Sequence, residues 1–169
     1  MIYNTNHLFC TIKTGKVKIN SISKSIKNIT LKEKSWFVLF NLDCTPSIKH
    51  ICFCLDSITK KQEFTAIDFL IKLTGETQVK SMEEKTELNK TKNACIIVIG
   101  KNKEKTAKSM KQLTELTGLK ETKLISSEKR LKKLIKKEKI SKKTLNAFGE
   151  DFYSALDNFF IEKSALVIK

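Results

Sequence analysis

Leu73-Thr74-Gly75-Glu76-Thr77-Gln78-Val79 and, beyond a polar helix, Ala94-Cys95-Ile96-Ile97-Val98-Ile99-Gly100 decide how this chain folds. Upstream of the first segment, Phe64, Ile67, Leu70, Ile71 and Thr74 recur at helical spacing. Gly75 stands where a left-handed residue ends such a helix. Thr77 is placed to cap the next helix, over 78–88. Residues 94–99 are apolar on both faces, the mark of a strand central in a sheet. Asn102 then opens a helix through Leu116, with Ala107, Met110, Leu113 and Thr114 inward, and Leu116-Thr117-Gly118 repeats the Leu-Thr-Gly ending.

Working outward, residues 8–13 alternate as a first strand, and Ile19, Ile22 and Ile26 set a short helix over 18–27. The aromatic and aliphatic run 35–42 reads as a buried strand. Thr45 reads as a helix N-cap with Pro46 at the first helical position, and Ile48, Ile51, Cys52, Leu55 and Ile58 share one face. A strand is expected over 119–125. A helix starts at Ser126-Ser127-Glu128, a shorter one at Ser141, an aromatic one spans 147–160, and 165–168 reads as a closing strand. Interleaved strands and helices point to one α/β layer fold of the α+β type over residues 1–169. A small central mixed or antiparallel sheet of roughly four to five strands is flanked by about seven helices.

The chain has 169 residues and a net charge of +15, unevenly spread. Residues 91–143 hold 17 basic against 5 acidic residues, a net +12, whereas 144–169 hold 2 basic and 4 acidic. That asymmetry suggests a polyanion on one surface and a different partner on another. Arg130 is the only arginine, and lysine serves phosphate better than it reads bases. The start of the chain lacks the basic, apolar pattern of an export signal, and no apolar run approaches the ~20 residues of a membrane helix. A soluble, cytoplasmic protein is expected.

Catalytic patterns are sparse: no phosphate loop, Gly-x-Ser-x-Gly or His-Glu-x-x-His occurs. Five cysteines (Cys10, Cys44, Cys52, Cys54, Cys95) read as free thiols. Cys52 and Cys54 lie about 200° apart on a helix and cannot share a metal ion. His7 and His50 are the only histidines, and Glu83-Glu84 and Glu150-Asp151 read as solvated surface. No catalytic residue, cofactor or metal is assigned.

Two surfaces carry the binding reading. The 129–143 segment has eight lysines and Arg130 over an apolar stripe of Leu131, Leu134 and Ile135, an amphipathic helix with a cationic outer face. Around the Gly75 corner, Lys72, Gln78 and Lys80 with the strand-end Lys101 and Lys103 are expected to converge. There Gln78 offers a donor and an acceptor to a base edge, and Gly75 permits close approach. Exposed bases of a single-stranded end suit such a corner better than a duplex. In the tail, Phe148, Phe152, Ala155, Leu156 and Phe159 make one face, with Tyr153 and Phe160 off it.

The segment Thr65-Ala66-Ile67-Asp68-Phe69-Leu70-Ile71-Lys72-Leu73-Thr74-Gly75-Glu76-Thr77-Gln78-Val79 resembles the helix and Gly-x-x-Gln-[Ile/Val] landmark of the kinase-binding small subunit of the KEOPS complex, the PRPK-binding protein family. The strand over 94–100 follows where that family has one. Phe160-Ile161-Glu162-Lys163-Ser164-Ala165-Leu166-Val167 is similar to its closing apolar–Glu-Arg–apolar segment, with Lys163 in place of Arg. Glu76-Thr77 departs from the basic residue common between Gly and Gln. The resemblance implies a non-catalytic subunit of the machine that makes threonylcarbamoyladenosine on transfer RNA. Such a subunit binds and stimulates a small atypical kinase and helps recruit transfer RNA through its 3′ CCA end. RNA contacts are then expected at Lys72, Gly75, Gln78, Lys80, Lys101 and Lys103, with Lys132, Lys133, Lys136 and Lys137 as a second patch. The kinase face is expected on Phe152, Tyr153, Leu156 and Phe160. The alternatives are a general basic RNA-binding protein without end specificity and a thiol-dependent RNA-modifying enzyme built on His50.

Overall fold

Strand β4 (Asn93–Gly100) is the axis of the fold, and every residue from Ala94 to Gly100 is buried. The computed structural model describes residues 2–5, 8–17, 36–60, 63–88, 93–122 and 127–167. β4 pairs antiparallel with β2 (Leu8–Lys16) on one side and β3 (Trp36–Asn41) on the other. β1 (Ile2–Thr5) extends the sheet beyond β2, and the two-residue β5 (Lys120–Glu121) joins β2 at Gly15 and Lys16. All described pairings are antiparallel, which selects that form of the expected sheet. The fold is α+β, with seven α-helices among the described residues.

Alternation along β4 feeds two cores. Cys95, Ile97 and Ile99 face Cys10, Ile12, Val38 and Phe40 and the first two helices, α1 (Ile48–Thr59) and α2 (Ala66–Thr74). Ala94, Ile96 and Val98 face Met110 and Leu113 of α4 (Lys103–Thr117). A strand buried on both faces cannot alternate polar with apolar, which is why 94–99 reads as a continuous apolar run.

Helix ends follow local chemistry. The Thr65 hydroxyl and the Asp68 carboxylate form a reciprocal capping box at α2, and Gly75 ends that helix at φ 64°. Asn102 caps α4 by accepting from the Lys105 amide, without a reciprocal bond, and Gly118 ends that helix at φ 58°. Ser127, Ser141 and Asp151 cap α5 (Glu128–Lys137), α6 (Lys142–Asn146) and α7 (Phe152–Ala165). α3 (Val79–Thr86) lies between α2 and β4.

Several expectations are corrected. Ser47, not Thr45, caps α1, because the Thr45 hydroxyl is taken by the buried His50 ring and Pro46 lies outside the helix. Cys54 rather than Cys52 belongs to the fully buried face of α1. Gln78, not Thr77, occupies the N-cap position of α3 and makes no side-chain cap bond. On α4, Thr106 and Ser109 face inward in place of Ala107, and on α2 Ile67 points outward. The tail helix starts at Phe152 and runs through Ala165, so residues 165–167 form no closing strand. The expected helix over 18–27 lies outside the described residues. Of the expected strand over 119–125, residues 123–125 also lie outside the described residues, and Lys120–Glu121 forms the short β5. No described helix is long and apolar enough to cross a membrane.

Candidate functional site

The corner between α2 and α3 is packed against the end of α7. The Lys72 ammonium donates to the Ser164 carbonyl at 3.1 Å and to the Val167 carbonyl, tying off the open carboxyl end of that helix. Lys163 runs over Gly75, so that a Cβ built on the glycine would lie 2.7 Å from its Cγ and Cε. The left-handed backbone and this close approach both favour glycine. Ile71, Met82 and Val167 close the corner in a small buried cluster of their own.

Beneath it lies an ion-pair node. Glu138, with 8% of its side chain accessible, accepts hydrogen bonds from Lys85 and Lys163, each at 2.8 Å. Lys85 also reaches Glu76 at 2.6 Å. Burial pushes the Glu138 carboxyl up, but the bonds from Lys163 and Lys85 outweigh it and hold the group below the usual carboxylate range. Burial likewise lowers the Lys85 ammonium, and the bonds to Glu138 and Glu76 bring it above its ordinary value. Glu76 therefore sits between glycine and glutamine to pair with lysines of its own chain.

The six expected RNA contacts do not converge. Trp36 pairs with Ile99 and meets Phe64 edge-on just ahead of α2, while Phe40, near the other end of β3, touches Phe69. α2 thus runs away from the Gly100 end of the sheet, and its Gly75 end lies opposite Lys101 and Lys103. Lys72 and Gly75 are committed to internal contacts. Gln78 and Lys80 are exposed beside the corner, and Lys101 and Lys103 are exposed at the far end of β4.

The expected kinase face is also corrected. Leu156 and Phe160 are sealed in a core with Leu131, Leu134, Ile140 and Leu145, so neither is available to a partner. Phe152 is half-buried against them, and of the four only Tyr153 is well exposed, at 45%. The apolar side chains open to solvent near the corner are Ile67, Val79 and Leu166, at 48%, 45% and 73%. Ile67 is one turn from Ile71, Val79 one turn from Met82, and Leu166 adjoins Val167, so all three border the small corner cluster.

The histidine and one thiol form a buried seam. His50 Nδ1 lies 2.9 Å from Thr45 Oγ1, and Nε2 lies 2.8 Å from Ser164 Oγ and 3.5 Å from Cys54 Sγ. Burial, with a smaller push from the Lys163 charge, lowers the imidazole pKa to about 3. Burial raises Cys54 to about 12 and Cys52 to about 11, the opposite of what an activated thiolate needs. Arg130, unremarked as a contact residue from sequence, clamps α5 to the loop before α1. Its guanidinium donates to the Leu42, Thr45 and Pro46 carbonyls at 3.2, 2.7 and 2.5 Å. Its being the only arginine among so many lysines was the available signal. Compared with protein-family models and with curated proteins, the chain matches none.

Proposed function

We propose that the chain is a non-catalytic adaptor of the threonylcarbamoyladenosine machinery, binding a small atypical kinase on one surface and transfer RNA on another. One observation supports this reading most. The two segments that carry the resemblance, Thr65–Val79 and Phe160–Val167, are distant in sequence and join in one corner through Gly75, Lys72, Lys163 and Ser164. The kinase docks on the exposed Ile67, Val79 and Leu166 around that corner, where solvent-facing apolar side chains adjoin a small packed cluster. The exposed lysines of α5, in the +12 segment, supply the RNA side.

The test is twofold. Purified chain should co-elute with the small kinase of its own cell and raise its ATPase rate. It should also bind full transfer RNA more tightly than transfer RNA trimmed of CCA. Equal affinity for the two RNAs sinks the end-specific reading. It favours the general RNA-binding alternative, which the wide separation of Lys80 from Lys101 and Lys103 also supports. No kinase association sinks the adaptor reading itself.

A further inference from the structure

Resting on the adaptor reading for the choice of RNA among polyanions, we infer that the outer face of α5 and the adjoining Tyr153 form a single-strand binding strip, with lysines holding phosphates and the tyrosine ring stacking a base. Lys129, Lys132, Lys133 and Lys136 follow i, i+3, i+4, i+7 and line, with Glu128, a shallow depression of about 490 Å³. All four are exposed. Lys132 pairs with Glu128 at 2.6 Å across the solvated surface, a contact that a phosphate readily displaces.

Tyr153 is the aromatic element of the strip. It stands at the amino-terminal turn of α7, next to Phe152, which packs against the core of Leu131, Leu134, Leu156 and Phe160 that joins α7 to α5. The Phe152 ring meets it edge-on at a 5.4 Å centroid distance, which steadies the tyrosine while leaving it 45% exposed. A flat ring beside a row of flexible ammonium groups is the combination that binds unstacked strands, since every base has a π-face and lysine reads charge without sequence.

The packing of α5 selects against a membrane. A basic amphipathic helix binds a bilayer by burying its apolar face in lipid. Here Leu131 and Leu134 are each 2% exposed, committed to the protein core, so the helix offers lipid only charge. A duplex offers its phosphates but no free base face for Tyr153.

The experiment measures anisotropy of labelled oligouridine and of an RNA duplex of equal length, titrated with the full chain at several salt concentrations. The single strand should bind more tightly than the duplex. Tyr153→Ala should weaken single-strand binding roughly five- to a hundredfold, and Tyr153→Phe should retain it. Lys133→Ala with Lys136→Ala should flatten the log–log salt slope by about 1.4, two phosphates at about 0.7 each. Equal binding of strand and duplex, or an unchanged Tyr153→Ala variant, overturns the stacking site. An unchanged salt slope overturns the lysine strip. Kinase co-elution of the same variants is read in parallel: its retention with lost RNA binding supports the strip, and its absence in the unmodified chain counts against the adaptor reading alone.

Discussion

Lys163 lies across Gly75, its Cγ and Cε each 2.7 Å from where a β-carbon would stand. The lysine is held there by Glu138 at 2.8 Å. Gly75→Ala should therefore do two kinds of damage. The left-handed backbone costs about 1–2 kcal/mol for any residue with a side chain, and the displaced lysine loses its carboxylate. In a Lys163→Ala background the second part should vanish and only the backbone cost remain. Urea unfolding of the four proteins in the cycle measures this, and additive losses would contradict the contact.

Glu138 binds two ammonium groups on a side chain that is nearly inaccessible. Removing its charge leaves Lys85 and Lys163, each about a quarter exposed, facing a neutral amide. Glu138→Gln should cost about 1–3 kcal/mol, below the range for a wholly buried pair because water still reaches both lysines. Its folded pKa is lowered, so the stabilisation is present above the ordinary carboxylate range and is lost as pH falls through the folded value.

Arg130 satisfies three carbonyls of the loop that leads into α1. One ammonium cannot copy a planar fork that reaches Leu42, Thr45 and Pro46 together. Arg130→Lys should lower stability by about 2–3 kcal/mol through the unpaired carbonyls. A calorimetric midpoint equal to that of the unmodified chain would rule the clamp out.

His50 gives a pH dependence with a definite sign. The folded imidazole stays neutral down to about pH 3, whereas the unfolded one protonates near 6.5. As pH falls below 6.5 the unfolded state takes up a proton that the folded state refuses, so stability drops with acidification through that window. Between about pH 6 and 5, above the carboxylates, the slope should approach 1.4 kcal/mol per pH unit and should disappear in His50→Gln. A flat profile in the unmodified chain would mean that the ring accepts a proton in the folded state.

The corner patch makes a binding prediction separate from stability. Val79→Asp and Leu166→Asp place charges on exposed positions and should leave the melting temperature within a few degrees, as surface changes generally do. On the proposed adaptor reading, each should weaken association with the small kinase at least about tenfold, a central apolar contact being worth more than 1 kcal/mol. Full association of the double variant would move the docking face elsewhere.

What the residues determine alone is local. The two-faced apolar run 94–99, the Leu-Thr-Gly endings, and the Asn102 and Ser127 caps each act within a few residues. The central strand and most helix boundaries were therefore legible without the fold. The antiparallel sense of the sheet and the direction of α2 depend on contacts such as Trp36 with Phe64, which join distant segments. That direction separates Gly75 from Lys101 and Lys103, undoing a convergence that spacing could not test. Tertiary packing alone decides which of many like side chains are free. Lys72 is bonded and Lys80 is exposed, and Phe160 is buried while Tyr153 is not. A lysine or an aromatic ring looks the same in sequence whichever fate it has, because its partner is chosen by the rest of the fold.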